Sequence, residues 1–600
     1  MDFGKYFTNL KGNSPKEKID REIMLFTLYL YSFPLLARTH VNDIIVKVLT
    51  LISNLIIPYI QLQMQISLKP WAIAEVYSHV QFILESNRNM FNDFYTERKR
   101  IKMYEKKSYF VPPANYEIGE RSIFFNDNGK VQIKTKIISG TRIPLANNFK
   151  IFLETPGVYE QIIAYMSEVQ AETTYLTNYM NAYLWRTKYA PIFKDKIVFP
   201  LFVYNDDFKV RNPLGSHAGE EKFSGTYVSF ACLPPHMDAK LENIFVYTIC
   251  KSKHLKEFGN KKIFKTTVDE LNNLSREGIT IMINGKNLQV YFQCVLVTGD
   301  NLGVNSICGF SIGFSKGKHY CRICTADSEM CKHMVEENPL LYRKLTYASD
   351  VQTSDSRVTG IVEECVFNEI ENHSITENYS VDDWHNFAEG IANMTVGSVL
   401  NALIKKKIPN LTVDVMNNRR EIFPYPEHEK SNKPRPFFIK NSEKSGEKLK
   451  VKQSATEMMC LVRYLGLMIG DLIPPNDEHW KLYLYIRRIA GIITSPKFTR
   501  AQVEIMRDLF RKHLSLYIKL FGKIKAKGHI SLHGVSSTLS NGPTTHYGTL
   551  KFERKNRSRK MIAVGTCSNI NLAYTMALRH QLTLCYYQEV HPNVTQEIEI

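Results

Sequence analysis

Apolar residues recur at three- and four-residue spacing through EIMLFTLYLYSFPLLARTHVNDIIVKVLTLISNLIIPYI, so residues 15 to 110 read as helices. The same spacing returns over 158 to 190. The most apolar run, Val46 to Ile60, is short for a bilayer span, and Lys47 and Asn54 interrupt its surroundings. It predicts a buried helix and no membrane association. The charged stretch ERKRIKMYEKK (Glu97 to Lys107) reads either as the solvated side of a helix or as a strip facing DNA.

The period then changes. IVFPLFVY (Ile197 to Tyr204) is short, wholly apolar and β-rich, the pattern of a central buried strand, and polar NDDFKVRNPLGS follows it. GTYVSFACL (Gly225 to Leu233), stopped by Pro234 and Pro235, and NIFVYTIC (Asn243 to Cys250) predict two more strands. TTVDELNNLSREG predicts a helix ending at Gly278. ITIMING and NLQVYFQCVLVTGDNLG meet at Asn284-Gly285, a two-residue hairpin signature, and the second of these strands ends on Asp300. Asp206 and Asp300 thus follow buried strands, where side chains from neighbouring strands converge. With a third carboxylate on a later helix, this is the plan of an RNase H-like nuclease. Such a site holds hard divalent cations on oxygen ligands and neutralises the entering and leaving oxygens of a phosphodiester. On pattern alone, both aspartates also fit as ordinary polar residues in loops after strands.

Charge adds a partner class. The 600 residues carry 77 basic and 59 acidic side chains, a net +18, which favours a polyanion and above all nucleic acid. Eleven cysteines, sparse and odd in number, and the polar opening MDFGKYFTNLKG predict a reducing compartment and no secretory leader. For a DNA-binding protein that compartment is the nucleus.

Three further clusters carry chemistry. Cys321-Arg-Ile-Cys324 has the C-x2-C spacing that presents two thiolates to one Zn2+. It is half a site, with His319, Cys331, His333, Cys365, His373 and His385 as candidate partners; the alternative is a pair of reduced core cysteines. In DDWHNFAEG (Asp382 to Gly390), His385 and Glu389 share a helical face, suited to a metal, to support of the zinc knuckle or to a structural hydrogen bond. In KGHISLHG, His529 and His533 share a face, either near a scissile phosphate or packed beneath it. Residues 455 to 524 read as helical, and 422 to 453, rich in Pro, Lys and Ser, as a basic loop that either touches phosphates or is plain linker.

Taken in order, VYNDDFKVRNPLGS, Leu233 to Pro235, GDNLGVNSICGFSIGFSKGKHYCRIC, DDWHNFAEG and KFERKNRSRK resemble the transposases of the CACTA (En/Spm-like) superfamily. The likeness is closest to animal transposon-associated proteins of that group and covers roughly residues 190 to 590. The resemblance implies an RNase H-like α/β core, Mg2+ or Mn2+, and DDE-type strand cleavage and transfer on transposon-end and target DNA by a homo-oligomer. It places the catalytic, metal-holding acids at Asp206 (with Asp207 in reserve), Asp300 and, in Phe552-Glu553-Arg554, Glu553. It makes Arg554, Lys555, Arg557, Arg559 and Lys560 a DNA-binding tail, and His529, His533 and Glu389 supporting residues. The expected order is a helical N-terminal region (1–190), the first part of the core (191–315), a large, mainly helical insertion with the zinc knuckle (316–540), and the last part of the core (541–600). Asn386, Asn556 and Lys209 depart from the family pattern, which favours a domesticated, non-cutting DNA- or chromatin-binding descendant as the second reading. A zinc-stabilised interaction scaffold is the third.

Overall fold

A computed structural model describes residues 15–67, 78, 91–107, 110–127, 130–210, 222–315, 317–353, 355–442, 446–566 and 571–590. The chain is mixed α/β. Its centre is a seven-stranded mixed sheet built from β1 (Ala114–Asp127), β2 (Lys130–Arg142), β3 (Val198–Lys209), β4 (Lys222–Phe230), β5 (Phe245–Lys251), β6 (Ile279–Ile283) and β7 (Lys286–Thr298), in the order β1-β2-β5-β4-β3-β7-β6. Every neighbouring pair is antiparallel except β3 with β7. The expected helix is Ser252–Arg276, which crosses over between β5 and the β6–β7 hairpin. Asn284 and Gly285 both have positive φ, 50° and 76°, as the Asn-Gly turn requires.

The two faces of the sheet are covered differently. Helices Leu145–Glu154, Val158–Ala171 and Ser252–Arg276 contribute to one large core, where Phe149 and Phe152 pack edge-on or tilted against Phe230 and Phe245. The late helix Leu550–Thr566 packs through Phe552 against Tyr204 and Tyr227 in a second core. Helix Leu572–Val590 joins that core and also packs on the N-terminal helix Pro15–Ser32. A third core belongs to the helices between 384 and 521. Their starts are written locally: Ser454 with Glu457 and Thr499 with Gln502 form reciprocal caps on Ala455–Ile469 and Arg500–Phe521.

The structure departs from expectation in three places. The N-terminal region is not helical throughout: β1 and β2 extend the main sheet, and 145–171 pack on it, so the core begins well before residue 191. In β1 charges fall at Glu117, Glu120 and Arg121, with no two-residue period that would mark a strand. The loop expected over 422–453 contains a small hairpin, β8 (Phe438–Ser442) with β9 (Gly446–Lys450). The apolar run 46–60 is not a buried helix. Val41, Ile45 and Leu49 are buried, but Leu51, Leu55, Tyr59 and Leu62 are exposed. By length and composition alone, Arg38–Gln63 and Trp384–Lys405 could each span a bilayer, and the second contributes to the helical core.

Candidate active site and metal cluster

Strand alternation decides which way the first acids point. Tyr204, Asp206 and Phe208 lie on one face of β3, and Tyr204 and Phe208 pack in the core shared with the late helices. Tyr204 stacks on Phe552, with ring centroids 4.5 Å apart and planes 8° from parallel. That contact docks helix Leu550–Thr566 with Glu553 beside Asp206. One turn on, Asn556 donates Nδ2 to Asp206 Oδ2 at 2.9 Å. Asp206 pairs with Gly225 across to β4, where a Cβ would lie 2.7 Å from the Tyr227 hydroxyl. In the parallel pair, Tyr204 is level with Thr298. Asp300 comes two residues beyond Thr298, just past the end of β7, and its charge reaches the Asp206 carboxyl. Asp300 also caps Asn301–Ile307 by accepting the Gly303 N–H.

His385 completes this site. It sits on a π-helix, Trp384–Ala392. Its Nε2 lies 3.4 Å from Glu553 Oε1 and its Nδ1 is 2.6 Å from Asp382 Oδ2. Asp382 also accepts the Thr549 N–H and hydroxyl, both at 3.0 Å, which ties the start of the Glu553 helix to His385. Burial opposes charge on His385, but its hydrogen bond to Asp382 and the charges of Asp382 and Glu553 outweigh it and hold its pKa up at about 9. Burial, then the charges of Asp300 and Glu553, push the Asp206 carboxyl up to about 6, against the opposing pull of a backbone N–H at Asp207. Burial and the charges of Asp382 and Glu389 raise Glu553, with His385 opposing. The crowded carboxylates leave this site short of positive charge.

Several expected roles are corrected. Asp207 points to the opposite face from Asp206, where it takes Ser252 Oγ and Lys222 Nζ, each at 2.9 Å. Lys555 and Arg559 are buried and do not face DNA. Lys555 donates to the Leu241 carbonyl, and Arg559 lies over the Tyr227 ring, 4.6 Å from its centroid, with Nε 3.1 Å from the hydroxyl. Arg554, Arg557 and Lys560 are exposed at three-residue steps along the same helix. Glu389 pairs with Lys527 at 3.4 Å.

The cysteine pair finds its partners more than two hundred residues away. Cys321, Cys324, His529 and His533 are all buried, and their ligand atoms lie within 4.8 Å of one another, a cluster that could hold a metal ion. The Ile323 N–H points at Cys321 Sγ at 3.4 Å, the backbone-to-sulfur contact of a tight knuckle. Cys324 Sγ is 3.3 Å from His529 Nε2. Glu337 takes His533 Nδ1 at 2.7 Å and leaves the buried Nε2 without a protein partner, as a carboxylate-oriented metal-ligating histidine requires. The residues fit a closed, four-ligand zinc site.

The other proposed partners lie elsewhere. Cys331 packs in the same buried cluster but donates to the Ala326 carbonyl at 3.6 Å and is outside the quartet. His333 ends the short helix Ser328–His333 and is exposed. His319 bonds the Thr325 carbonyl at 3.0 Å, Cys365 packs in the sheet core, His373 is buried away from the quartet, and His385 serves the acids. His529 and His533 therefore belong to the metal cluster, not to a phosphate.

The knuckle also reaches the acids. Arg322, buried between the two cysteines, donates Nη1 to Asn301 Oδ1 at 3.0 Å, and Asn301 donates to Asn386 Oδ1 at 2.6 Å. Asn301 follows Asp300, and Asn386 follows His385. The periodicity of these segments did not single out Asp382, Asn301, Arg322 and Glu337 as site residues. Only the Asp382-x-x-His385 spacing carried a signal for any of them. No family model and no curated protein matches this chain.

Proposed function

We propose that this chain is a DDE-type nuclease of the transposase kind, cleaving and joining DNA strands at Asp206, Asp300 and Glu553. The observation that carries the reading is that carboxylates from one strand, from the turn just after its parallel neighbour and from a late helix act on one another, burial and then the charges of Asp300 and Glu553 raising Asp206 to about 6. Three antiparallel strands, a long crossover helix and a fourth strand parallel to the first support an RNase H-like core. An oxygen-only set with excess negative charge fits Mg2+ or Mn2+, which when bound would neutralise the attacking and leaving oxygens of a phosphodiester.

The chain's own residues prepare that step. The stack of Phe552 on Tyr204 positions Glu553, and Asn556 orients Asp206. The Asp382–His385 pair holds a proton beside Glu553. The quartet of Cys321, Cys324, His529 and His533 would hold structural Zn2+, and Arg322 braces the segment after Asp300. Strand cleavage on DNA carrying the flanking terminal repeats, with Mg2+ or Mn2+, tests the reading. Asp300→Ala is expected to lower the rate roughly 10³-fold, about 4 kcal/mol of barrier. Equal cleavage by both proteins overturns the assignment. A DNA-binding descendant that no longer cuts is the second reading, favoured because Asn556, where relatives often carry histidine, occupies one Asp206 oxygen.

A further inference from the structure

We infer that a lysine-lined groove in the helical insertion holds the phosphate backbone of duplex DNA on its way to the acid site; this rests on the nuclease reading above. The groove, about 670 Å³, runs between helix Asn393–Lys405, strand β9 and the end of helix Arg500–Phe521. Lys405, Lys448, Lys450 and Lys525 line it, all exposed, and no acidic side chain is among its lining residues. Among the described residues, none of these four lysines makes an ion pair, although Lys406 and Lys527 beside them do.

The lysines are placed by structure. Leu449 points inward and is buried, so Lys448 and Lys450 both project outward from β9. Asn401 clamps the Leu449 backbone from both sides, donating to its carbonyl at 3.0 Å and accepting its N–H at 2.9 Å. Lys405 stands one turn beyond Asn401 on the same helix face. Lys525 immediately precedes the helix Ala526–Leu532 that carries His529, so the metal quartet anchors the groove's other wall. The basic stretch 422–453 thus provides one wall.

The groove also points somewhere. Its lining residues on Asn393–Lys405 recur at four-residue steps, and that helix directly continues the π-helix bearing His385. From His385 to Lys405 is about 30 Å of helix at ~1.5 Å per residue, or about nine base pairs of duplex at ~3.4 Å each. Unpaired lysines on a fixed wall match a polyphosphate that spans that distance.

Fluorescence anisotropy of a labelled duplex across a salt series tests this. Replacing Lys405, Lys448, Lys450 and Lys525 by Gln is expected to weaken binding more than tenfold and to reduce the slope of log K against log salt by about 3–4. Lys286→Gln, at an exposed lysine of the β6–β7 hairpin that does not line the groove, keeps wild-type affinity and slope. Metal content and Tm report folding, and the Lys448→Gln/Lys450→Gln pair, expected to cut the slope by about 2, replaces the quadruple variant if that is unstable. An unchanged slope in a folded variant overturns the groove, and leaves the nuclease reading standing if wild type cleaves. Loss of binding in the variant with no cleavage by wild type upholds the groove and removes the nuclease. Groove-dependent binding of a polyglutamate peptide or an RNA hairpin as tight as that of duplex DNA also overturns it.

Discussion

The two ligand-rich sites of this molecule are opposites. Cys321, Cys324, His529 and His533 are sealed in the interior, a set of soft and borderline ligands that would saturate one ion. Asp206 and Asp300 are half-buried and the Glu553 side chain is 43% exposed, and the charges of Asp300 and Glu553 raise the Asp206 carboxyl. A sealed, neutralised site suits structure. An open, charge-deficient one suits an exchanging cation and a substrate. The Arg322–Asn301–Asn386 chain connects the two, so the closed site braces the open one.

Removing either site separates stability from activity. Cys321→Ser, or chelation, is expected to release the bound metal and cost at least about 3 kcal/mol of stability, read by zinc content and thermal unfolding. An unaltered Tm after metal loss would dissolve the contrast. Asp206→Asn is expected to abolish cleavage while leaving stability unchanged or raised by up to about 1 kcal/mol, because it removes a carboxylate its neighbours repel. A large fall in Tm would show that the acids hold the fold.

The basic residues after Glu553 sharpen the contrast on a smaller scale. Arg559→Ala loses its stack on Tyr227 and is expected to cost about 2 kcal/mol. Arg557→Ala should stay within about 0.5 kcal/mol in stability and act only on DNA affinity. Equal destabilisation would contradict the burial of one and the exposure of the other. A buried histidine in the insertion makes stability depend on pH. His513 lies buried in the insertion core, and burial holds its pKa down at about 3, below the ordinary 6.5. The unfolded chain binds that proton below pH 6.5 and the folded chain does not. Stability therefore falls as pH drops from 6.5 toward 3, by up to about 1.4 kcal/mol per unit. Urea midpoints at pH 7.5 and 5.5 should differ less in His513→Gln.

Much of the central sheet was legible locally. The wholly apolar run before Asp206, the Asn284-Gly285 turn and the strand into Asp300 each specify their own backbone, so Asp300 was rightly placed after a strand, whereas β3 continues through Asp206 to Lys209 where a loop was expected. Glu553 was legible only through resemblance, because nothing in its own helix reports the strand it docks on. The β1–β2 hairpin was missed because β1 lacks a clean two-residue period, and the exposed helix 38–67 was misread because apolar residues cover both of its sides.

By itself the sequence determined the kinds of ligand present, the strands and capped helices, and the C-x2-C and H-x3-H spacings. These follow from side-chain periodicity and backbone preference within a few residues. Only the tertiary structure decided that His529 and His533 close the Cys321–Cys324 site, that His385 serves Glu553, that Asp207 faces away, and that Lys555 and Arg559 are interior. Each of those outcomes depends on which distant surface a helix or strand packs against. That choice is settled by the burial of whole faces between segments more than two hundred residues apart, not by any local pattern.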